Sequence, residues 1–592
     1  MEKLHRSSIF PENRLPDGGK ILQDGKLLAA SVIPGISSFL DEYKTTSEYE
    51  YKKLATRQGR IMQHAQIGFR TLDRTLDAAR NIHAQVAEAG FRVDRYGICL
   101  DWSMGYPKAA RAGRPKGTGL ILDNEAAFAE LANAAPVAPH FGDFVIGMPA
   151  AIENTIAAIR AGSTAIGNLG QYFTFELPGW QDDIETTRVT VQAIALAAAQ
   201  PVPILIHSNI DDGFAARFTD LASALGAILL ETYIVDELIG GKVSHCYGHT
   251  FSKAPSRFAF QRALLKVSKT PGTMVYGNTT AYRPDEAASY AALAAYLSTD
   301  ILAQKTEGSG HAINPVPVTE AIRIPDIDEI VSAQVFCGTL IKNMAGAEQL
   351  VSTVEADILA ERIVEGGYFF RQRVLDGLGQ AGINVQDPFE LLLAIRRVGA
   401  KRLEQLFGPG KQEPAGPNGR RPVEPSPVLE EVAQRASLAL ARIPENLKRQ
   451  IADGKLCVVT ATTDVHEYGK RLLDQTLLSL DVSLQDGGVS TDPDRLVEIA
   501  ANSNASAIFI STYNGVALDF LKLIQAELDK RNIHIPIFVG GKLNQVADGS
   551  NSNLPTDVGD QLSELGAVVC REVEDFYVPL AALCNHPAKE EA

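Results

Sequence analysis

Asp464, His466 and Gly469 fall within six consecutive residues, Asp464-Val465-His466-Glu467-Tyr468-Gly469. An imidazole can bind a transition metal through one ring nitrogen while a carboxylate two residues away takes the other N–H, fixing the ring and raising its basicity. The glycine lets something bulky approach the backbone. The pair is held by what flanks it. Lys455 to Thr462 is a short apolar, β-branched run that reads as a buried strand, and Leu472, Leu473, Leu477 and Leu480 recur at helical spacing after it. Two more buried strands are expected at Ala507–Ser511, running into Thr512 and Tyr513, and at Ile535–Val539, running into Gly540, Gly541 and Lys542. Helical patterns at Asp492–Ala501 and Ala517–Lys530 separate them. Residues 455–585 thus alternate as a doubly wound parallel sheet does, and such sheets bind ligands beyond the carboxyl ends of their strands.

Asp464, His466 and Gly469, then Ser511 and Thr512, then Gly540 and Gly541 occur in that order over the whole of 455–585. This set resembles the cobalamin-binding domain of B12-dependent mutases and methionine synthase, and is most similar to the small subunit of glutamate mutase. The resemblance implies a flavodoxin-like fold with His466 as ligand to the cobalt of cobalamin and Asp464 as its hydrogen-bond partner. It also implies that Gly469, Ser511, Thr512, Gly540 and Gly541 line a slot for the nucleotide tail. The structural alternative is a flavodoxin-like domain with His466 in its core, although no dinucleotide-type glycine fingerprint opens its first helix.

At 592 residues the chain is too long for one core. Its 45% hydrophobic and 21% charged residues are ordinary for a globular protein, and a net charge of -15 offers no basic surface to nucleic acid. No run reaches the length of a membrane span, and Glu2, Lys3, Arg6, Glu12, Arg14 and Asp17 leave the first thirty residues without a secretory apolar core. Six cysteines without a Cys-x-x-Cys pair favour reduced thiols in a cytoplasmic protein over a zinc site. Five parts are expected. Residues 1–55 form an irregular N-terminal extension with a polar helix near Ser37–Ala55, 56–330 a (β/α)8 TIM barrel, and 331–408 a helical extension of it. Residues 409–428 are an exposed Pro/Gly-rich linker, and 429–592 the cobalamin-binding domain, entered by one helix over Leu429–Ile451.

The barrel rests on eight apolar runs, near Ile61–Gly68, Arg95–Leu100, Ala135–His140, Ser163–Asn168, Pro203–His207, Lys242–Tyr247, Gly272–Tyr276 and Asp300–Gln304. Helical patterns such as Leu72–Glu88, Phe214–Leu225 and Asp285–Leu297 lie between them. Chemistry in such a barrel sits at the carboxyl ends of the strands. The substrate-contact candidates there are Gln66, Asn168, Gln171, His207 and His245, with His140, Asn209, His249, Asn278 and His311 nearby. A second metal on these histidines is the rival, but no carboxylate repeats beside them. The barrel resembles, more faintly, the large subunit of glutamate mutase over Met62–Asp73, Lys242–Leu264 and Gly272–His311, which implies that Lys305 contacts the adenosyl ribose.

The departures concern the substrate. Gln66 stands where the family has its first substrate arginine, no arginine occurs near Trp102 or Pro139, and Leu169 and Phe175 replace a Glu and a Tyr. Two carboxylates need charge-assisted donors, so glutamate is not expected. A less charged small molecule, an organic acid or a derivative, suits the exchange, with Arg70, Arg111 or Arg114 available for one anion contact. The activity implied is that of an adenosylcobalamin-dependent radical isomerase, a carbon-skeleton mutase with both parts in one chain, acting as a homodimer without nucleic acid or membrane. Three alternatives stay open. A cobalamin-dependent methyltransferase carries a helical cap beside the sheet, where one helix is expected here. A non-catalytic cobalamin sensor or carrier needs no polar barrel mouth. An aminomutase using pyridoxal phosphate needs a Schiff-base lysine, and none stands out.

Overall fold

The computed structural model describes residues 4–585 apart from 115, 211–215, 284, 415, 465, 514 and 547–554. Eight short strands lie in the first half: β1 Met62–Ile67, β2 Arg95–Ile98, β3 Ala138–His140, β4 Ala165–Ile166, β5 Leu205–Ser208, β6 Val243–His245, β7 Met274–Val275 and β8 Ala312–Ile313. They form two parallel sheets, β3-β2-β1-β8-β7 and β4-β5-β6. The sheets abut at both ends. A parallel bridge joins Tyr247 to Val275, with the Tyr276 N–H donating to the Tyr247 carbonyl at 2.7 Å. On the other side the Ile146 N–H donates to the Gly167 carbonyl at 3.2 Å, and Ser163 Oγ to the Pro139 carbonyl at 2.7 Å. Helices such as Leu72–Glu88, opened by Thr71 accepting from the Arg74 N–H, and Asp183–Ala198 return the chain between strands. Covered on both faces, the strands bury Ala65, Ile67, Leu205, Val275 and Ile313 completely.

Six of the eight strands fall inside the expected spans, and β5 runs one residue past its own, to Ser208. The eighth lies elsewhere: Asp300–Gln304 belongs to the helix Glu286–Thr306, and β8 follows it. The Ala/Leu periodicity that starts at Glu286 runs on through this stretch, and Asp300 is buried against Arg257, which donates to it at 2.6 and 2.7 Å. Of the expected helix Phe214–Leu225, Phe214 and Ala215 lie outside the described residues, and the helix found there is Leu221–Thr232.

The extension is not irregular. Its helix Gly18–Ala29 packs on the helix Asp183–Ala198, while Ser38–Glu42 and Glu48–Arg57 lie against the strands, with Glu48 and Lys52 driven under their amino ends. Lys52 Nζ donates to the carbonyls of Thr273 at 2.8 Å and Gly310 at 3.0 Å, and Arg95 Nε to Glu48 at 2.9 Å. The helix looks polar because Glu48, buried on it, pairs with Lys52 at 3.6 Å and with Arg95, 47 residues along the chain.

The described residues of 409–428 include exposed ones, at 411–414 and Arg421 among others, but the segment is also hydrogen-bonded to the rest of the chain. Lys411–Gln412 (β9) pairs antiparallel with Arg420–Arg421 (β10). The Arg420 guanidinium donates to the carbonyls of Gln405, Leu406 and Gly410 at 2.8–2.9 Å, capping the end of the helix Pro388–Phe407. Asp220 accepts from the Val423 N–H at 2.8 Å. Pro and Gly here shape turns, and the expected linker lacks the freedom to swing. The single helix expected over Leu429–Ile451 is two, Pro427–Ala441 and Glu445–Asp453, because Pro444 cannot continue the first.

The C-terminal sheet contains β11 Cys457–Thr462, β12 Ser483–Val489, β13 Ala507–Thr512, β14 Ile537–Gly541 and β15 Val568–Cys570. All are parallel, in the order β12-β11-β13-β14-β15. Val458, Val459, Ile508 and Phe538 fill its two faces. Among the described residues no helix is long and apolar enough to cross a membrane.

Candidate functional site

Beyond β11 the chain turns sharply, with Thr462 Oγ1 donating to the Asp464 carbonyl. Asp464 Oδ1 then accepts twice from His466, from its backbone N–H at 2.9 Å and from Nδ1 at 2.5 Å. With the proton on Nδ1, the ring's lone pair lies on Nε2, the arrangement of a metal-ligating imidazole backed by a carboxylate. The His466 ring stacks on Tyr513, centroids 4.2 Å apart at 25°. Tyr513 donates to Glu320 Oε1 at 3.1 Å, while Lys542 Nζ lies 3.9 Å over the Tyr513 ring and donates to the Glu320 carbonyl at 2.5 Å. Glu320 follows β8, so this cluster ties the histidine to the first half of the chain. Burial pushes the Glu320 carboxyl up and the Lys542 ammonium down. Arg217 to Glu467 at 2.9 Å and the Gly179 N–H to Asp492 at 2.6 Å add further ties.

His466 thereby faces the carboxyl ends of the eight strands across a cavity of ≈ 410 Å³. Gln66, His140, His207, Asn209, His249 and Asn314 line it from the strand side, and Asp464, His466, Ser490 and Tyr513 from the sheet side. His140 and His207 meet edge to face, 4.7 Å between centroids. Burial, then the charge of Arg95, holds both imidazoles well below their ordinary range. His249, stacked 3.8 Å from Tyr276, is held down to about 3, chiefly by burial. The imidazoles of His140, His207 and His249 are therefore neutral at neutral pH. Carboxyls line the cavity too: Asp143 is pushed up to about 6 by burial, against the opposing pull of Asn168 and His466, and Glu320, Asp464, Asp492 and Asp519 stand around it. Among the described lining residues Lys116 is the one permanent cation.

The structure gathers some of the expected residues and disperses others. Gln66 and His207 line the cavity beside Asp464 and His466. Asn168 and Gln171 are buried behind it and hold backbone: Asn168 Oδ1 accepts from the N–H groups of Gly170 at 3.0 Å and Asn209 at 2.8 Å, and Gln171 Oε1 from that of Phe144 at 3.0 Å. His245 points away, to Glu231 at 2.8 Å in the helix layer, because strand side chains alternate and its neighbour Cys246 takes the cavity side. Lys305 ends the helix Glu286–Thr306, ahead of β8 and so at the amino ends of the strands, opposite the cavity. The adenosyl contact that the resemblance implies for Lys305 is thus set on the side of the strands away from the cavity. Gly469, Ser511, Thr512, Gly540 and Gly541 stand at the carboxyl ends of β13 and β14 and at the start of the helix Tyr468–Leu478. A Cβ at Gly469 would lie 2.5 Å from Ser511 Oγ, so helix and strand touch where the tail slot is expected. Asp143, Tyr513 and Glu320 were not among the expected contacts. Tyr513 directly follows the Ser511-Thr512 strand end, a signal in plain view, whereas Glu320 depends on where β8 lies.

The family model described as the B12 binding domain matches residues 454–554. The C-terminal part is a B12-binding domain. Its five parallel strands fit that assignment, and the donor set fits the cofactor, since an imidazole whose Nδ1 is engaged by a carboxylate is suited to a metal through Nε2. Methionine synthase of Mycobacterium tuberculosis (strain ATCC 25618 / H37Rv) is 22% identical over 191 residues, 31% of this chain and 14% of that protein. The match spans a small part of that relative's length.

Proposed function

We propose that this protein is an adenosylcobalamin-dependent radical isomerase that rearranges the carbon skeleton of a small substrate at the mouth of a (β/α)8 barrel. The observation that carries the reading is the position of His466, paired with Asp464, across one cavity from the carboxyl ends of eight parallel strands. The barrel reading is supported by the abutment of the two sheets at both ends, through Tyr247–Val275 and Ile146–Gly167. Bound adenosylcobalamin supplies a 5'-deoxyadenosyl radical for hydrogen abstraction. The chain's own part is to hold the lower ligand, with Asp464 orienting His466, and to keep water from the reacting carbon. Gln66, His207, His140 and Asn209 offer neutral hydrogen-bonding groups to the substrate, and no arginine lines the cavity among the described residues, which supports a substrate less charged than a dicarboxylate.

A second reading, a cobalamin-dependent methyltransferase, has its own support. Two helices, not one, precede the sheet, and Val432 and Ala436 of the first pack on Leu472 beside it, as a cap would. The likeness to methionine synthase points the same way. The two readings separate in one experiment. The protein reconstituted anaerobically with adenosylcobalamin is mixed with a panel of acids, amino acids and acyl thioesters, and EPR spectra are recorded. A substrate-dependent radical signal is expected. Absence of any such signal, together with methyl transfer from methylcobalamin, would replace the isomerase by the methyltransferase.

A further inference from the structure

A second cavity, ≈ 300 Å³, lies on the seam between the two parts of the chain. Its walls are the stretch Tyr172–Glu176 after β4, the kink of the helix Pro388–Phe407 at Gly399, and Asp486–Val489 of β12 with the first turn of the helix Pro493–Asn502. Phe175 and Thr491 line both this cavity and the larger one, and form the partition between them.

Arg396 points to its use. Its neighbour Arg397 claims the carboxylates at hand, Glu12 and Asp183, with four hydrogen bonds of 2.7–2.8 Å. Among the described residues Arg396 itself makes no hydrogen bond and no ion pair, although it is only partly exposed and its surroundings disfavour its charge by burial. A guanidinium cannot shed its proton, and leaving one desolvated without an acceptor is costly. Across the cavity stands Arg495, in the third position of the helix Pro493–Asn502, likewise without an ion pair among the described residues. The amino end of that helix, flanked by Asp492 and Asp494, lies at the cavity's edge. The nearby acids offset these charges only in part. Asp486 shares Lys470 with Asp474, 2.9 Å from each, and Glu176, which pulls on Arg396 through space, is exposed and makes no ion pair among the described residues.

We propose that this seam cavity is a binding site for a small oxyanion, a phosphate or a carboxylate group, gripped by Arg396 from the strand half and Arg495 from the cobalamin half. A ligand held by both guanidiniums bridges the two parts of the chain, so its binding stabilises their docked arrangement.

The test uses the full chain and its two tryptophans, Trp102 and Trp180, the second of which is next to Gly179 at the seam. Tryptophan fluorescence and calorimetry follow titration with inorganic phosphate and, separately, with succinate, ionic strength being held constant with chloride. Saturable binding of at least one of the two is expected, and the tighter one tells which oxyanion the site prefers. Arg396→Gln and Arg495→Gln should each raise the dissociation constant about tenfold, as loss of a charge-assisted contact does. Arg495 is exposed, so that variant carries the test even if Arg396→Gln folds poorly. Binding that chloride reproduces, or that Arg495→Gln leaves unchanged, would overturn the proposal.

Discussion

The two ends of the eight N-terminal strands are both buried and both polar, yet they are built on opposite principles. At the amino ends the polar groups are charged and matched. Glu48 lies between Arg95 at 2.9 Å and Lys52 at 3.6 Å, and Asp94 accepts from Tyr51 at 2.6 Å and pairs with Arg60. At the carboxyl ends they are mostly neutral imidazoles and amides around a cavity, with the carboxyls of Asp143 and Glu320 both pushed up by burial. Matched charges lock a plug in place. Neutral hydrogen-bonding groups around a void leave partners to be supplied by a ligand. The difference teaches that one end is built to hold the fold together and the other to leave room for a ligand.

Breaking the plug should have the largest effect. Glu48→Ala leaves Arg95 and Lys52 buried without their anion and should cost about 3–5 kcal/mol, read as a lower urea midpoint. Acid should come next. His64, His140, His207, His249 and His311 are all held below 6.5 in the folded chain, the last two at about 3, mainly by burial. Through these imidazoles the unfolded chain binds more protons than the folded one just below neutrality, and stability should fall between pH 7 and 6. Carboxyls raised by burial, Asp143 and Asp220 to about 6 and Asp236, Asp300, Glu320, Asp387, Glu424 and Asp492 in the same direction, pull the other way at lower pH, so the fall should flatten there. Urea midpoints at pH 7, 6 and 5 check the sign.

Gly469→Ala should cost about 1–2 kcal/mol, because the new Cβ is set 2.5 Å from Ser511 Oγ, and it should weaken cobalamin uptake measured by absorbance. The smallest effect sharpens the contrast between the ends. Asp143→Asn should raise stability at pH 7 on the order of 1 kcal/mol, a gain that shrinks as pH falls from about 6 toward 3.8 and is gone below that, where the native carboxyl is protonated in both states. The same change should lower turnover, whereas Glu48→Ala, once folded, should leave cofactor binding intact.

Much of this was legible in the sequence because it is written locally. The Asp464–His466 pair needs only two residues of spacing, and β11, β13 and β14 declare themselves as apolar runs between helical patterns. What escaped depends on distant partners. β12 reads Ser-Leu-Gln-Asp-Gly-Gly-Val, an edge strand with one face to solvent and no apolar run. The stretch Asp300–Gln304 continues the helical periodicity from Glu286, and its burial against Arg257 makes it as apolar-looking as a strand. Gln66 and His207 line the cavity, while His245 is turned from it by one residue of alternation. The strap at 409–428 looked free because Arg420 caps a helix end that composition does not reveal.

The central claim is that His466, oriented by Asp464, ligates cobalt at the mouth of the strand set. The most direct measurement is the EPR spectrum of the protein loaded with cob(II)alamin, compared with that of His466→Ala. The account predicts nitrogen hyperfine splitting that changes when the protein is labelled with 15N-histidine and disappears in the variant. Splitting that ignores the label and survives His466→Ala would mean that the cofactor keeps its own base as lower ligand, and would contradict it.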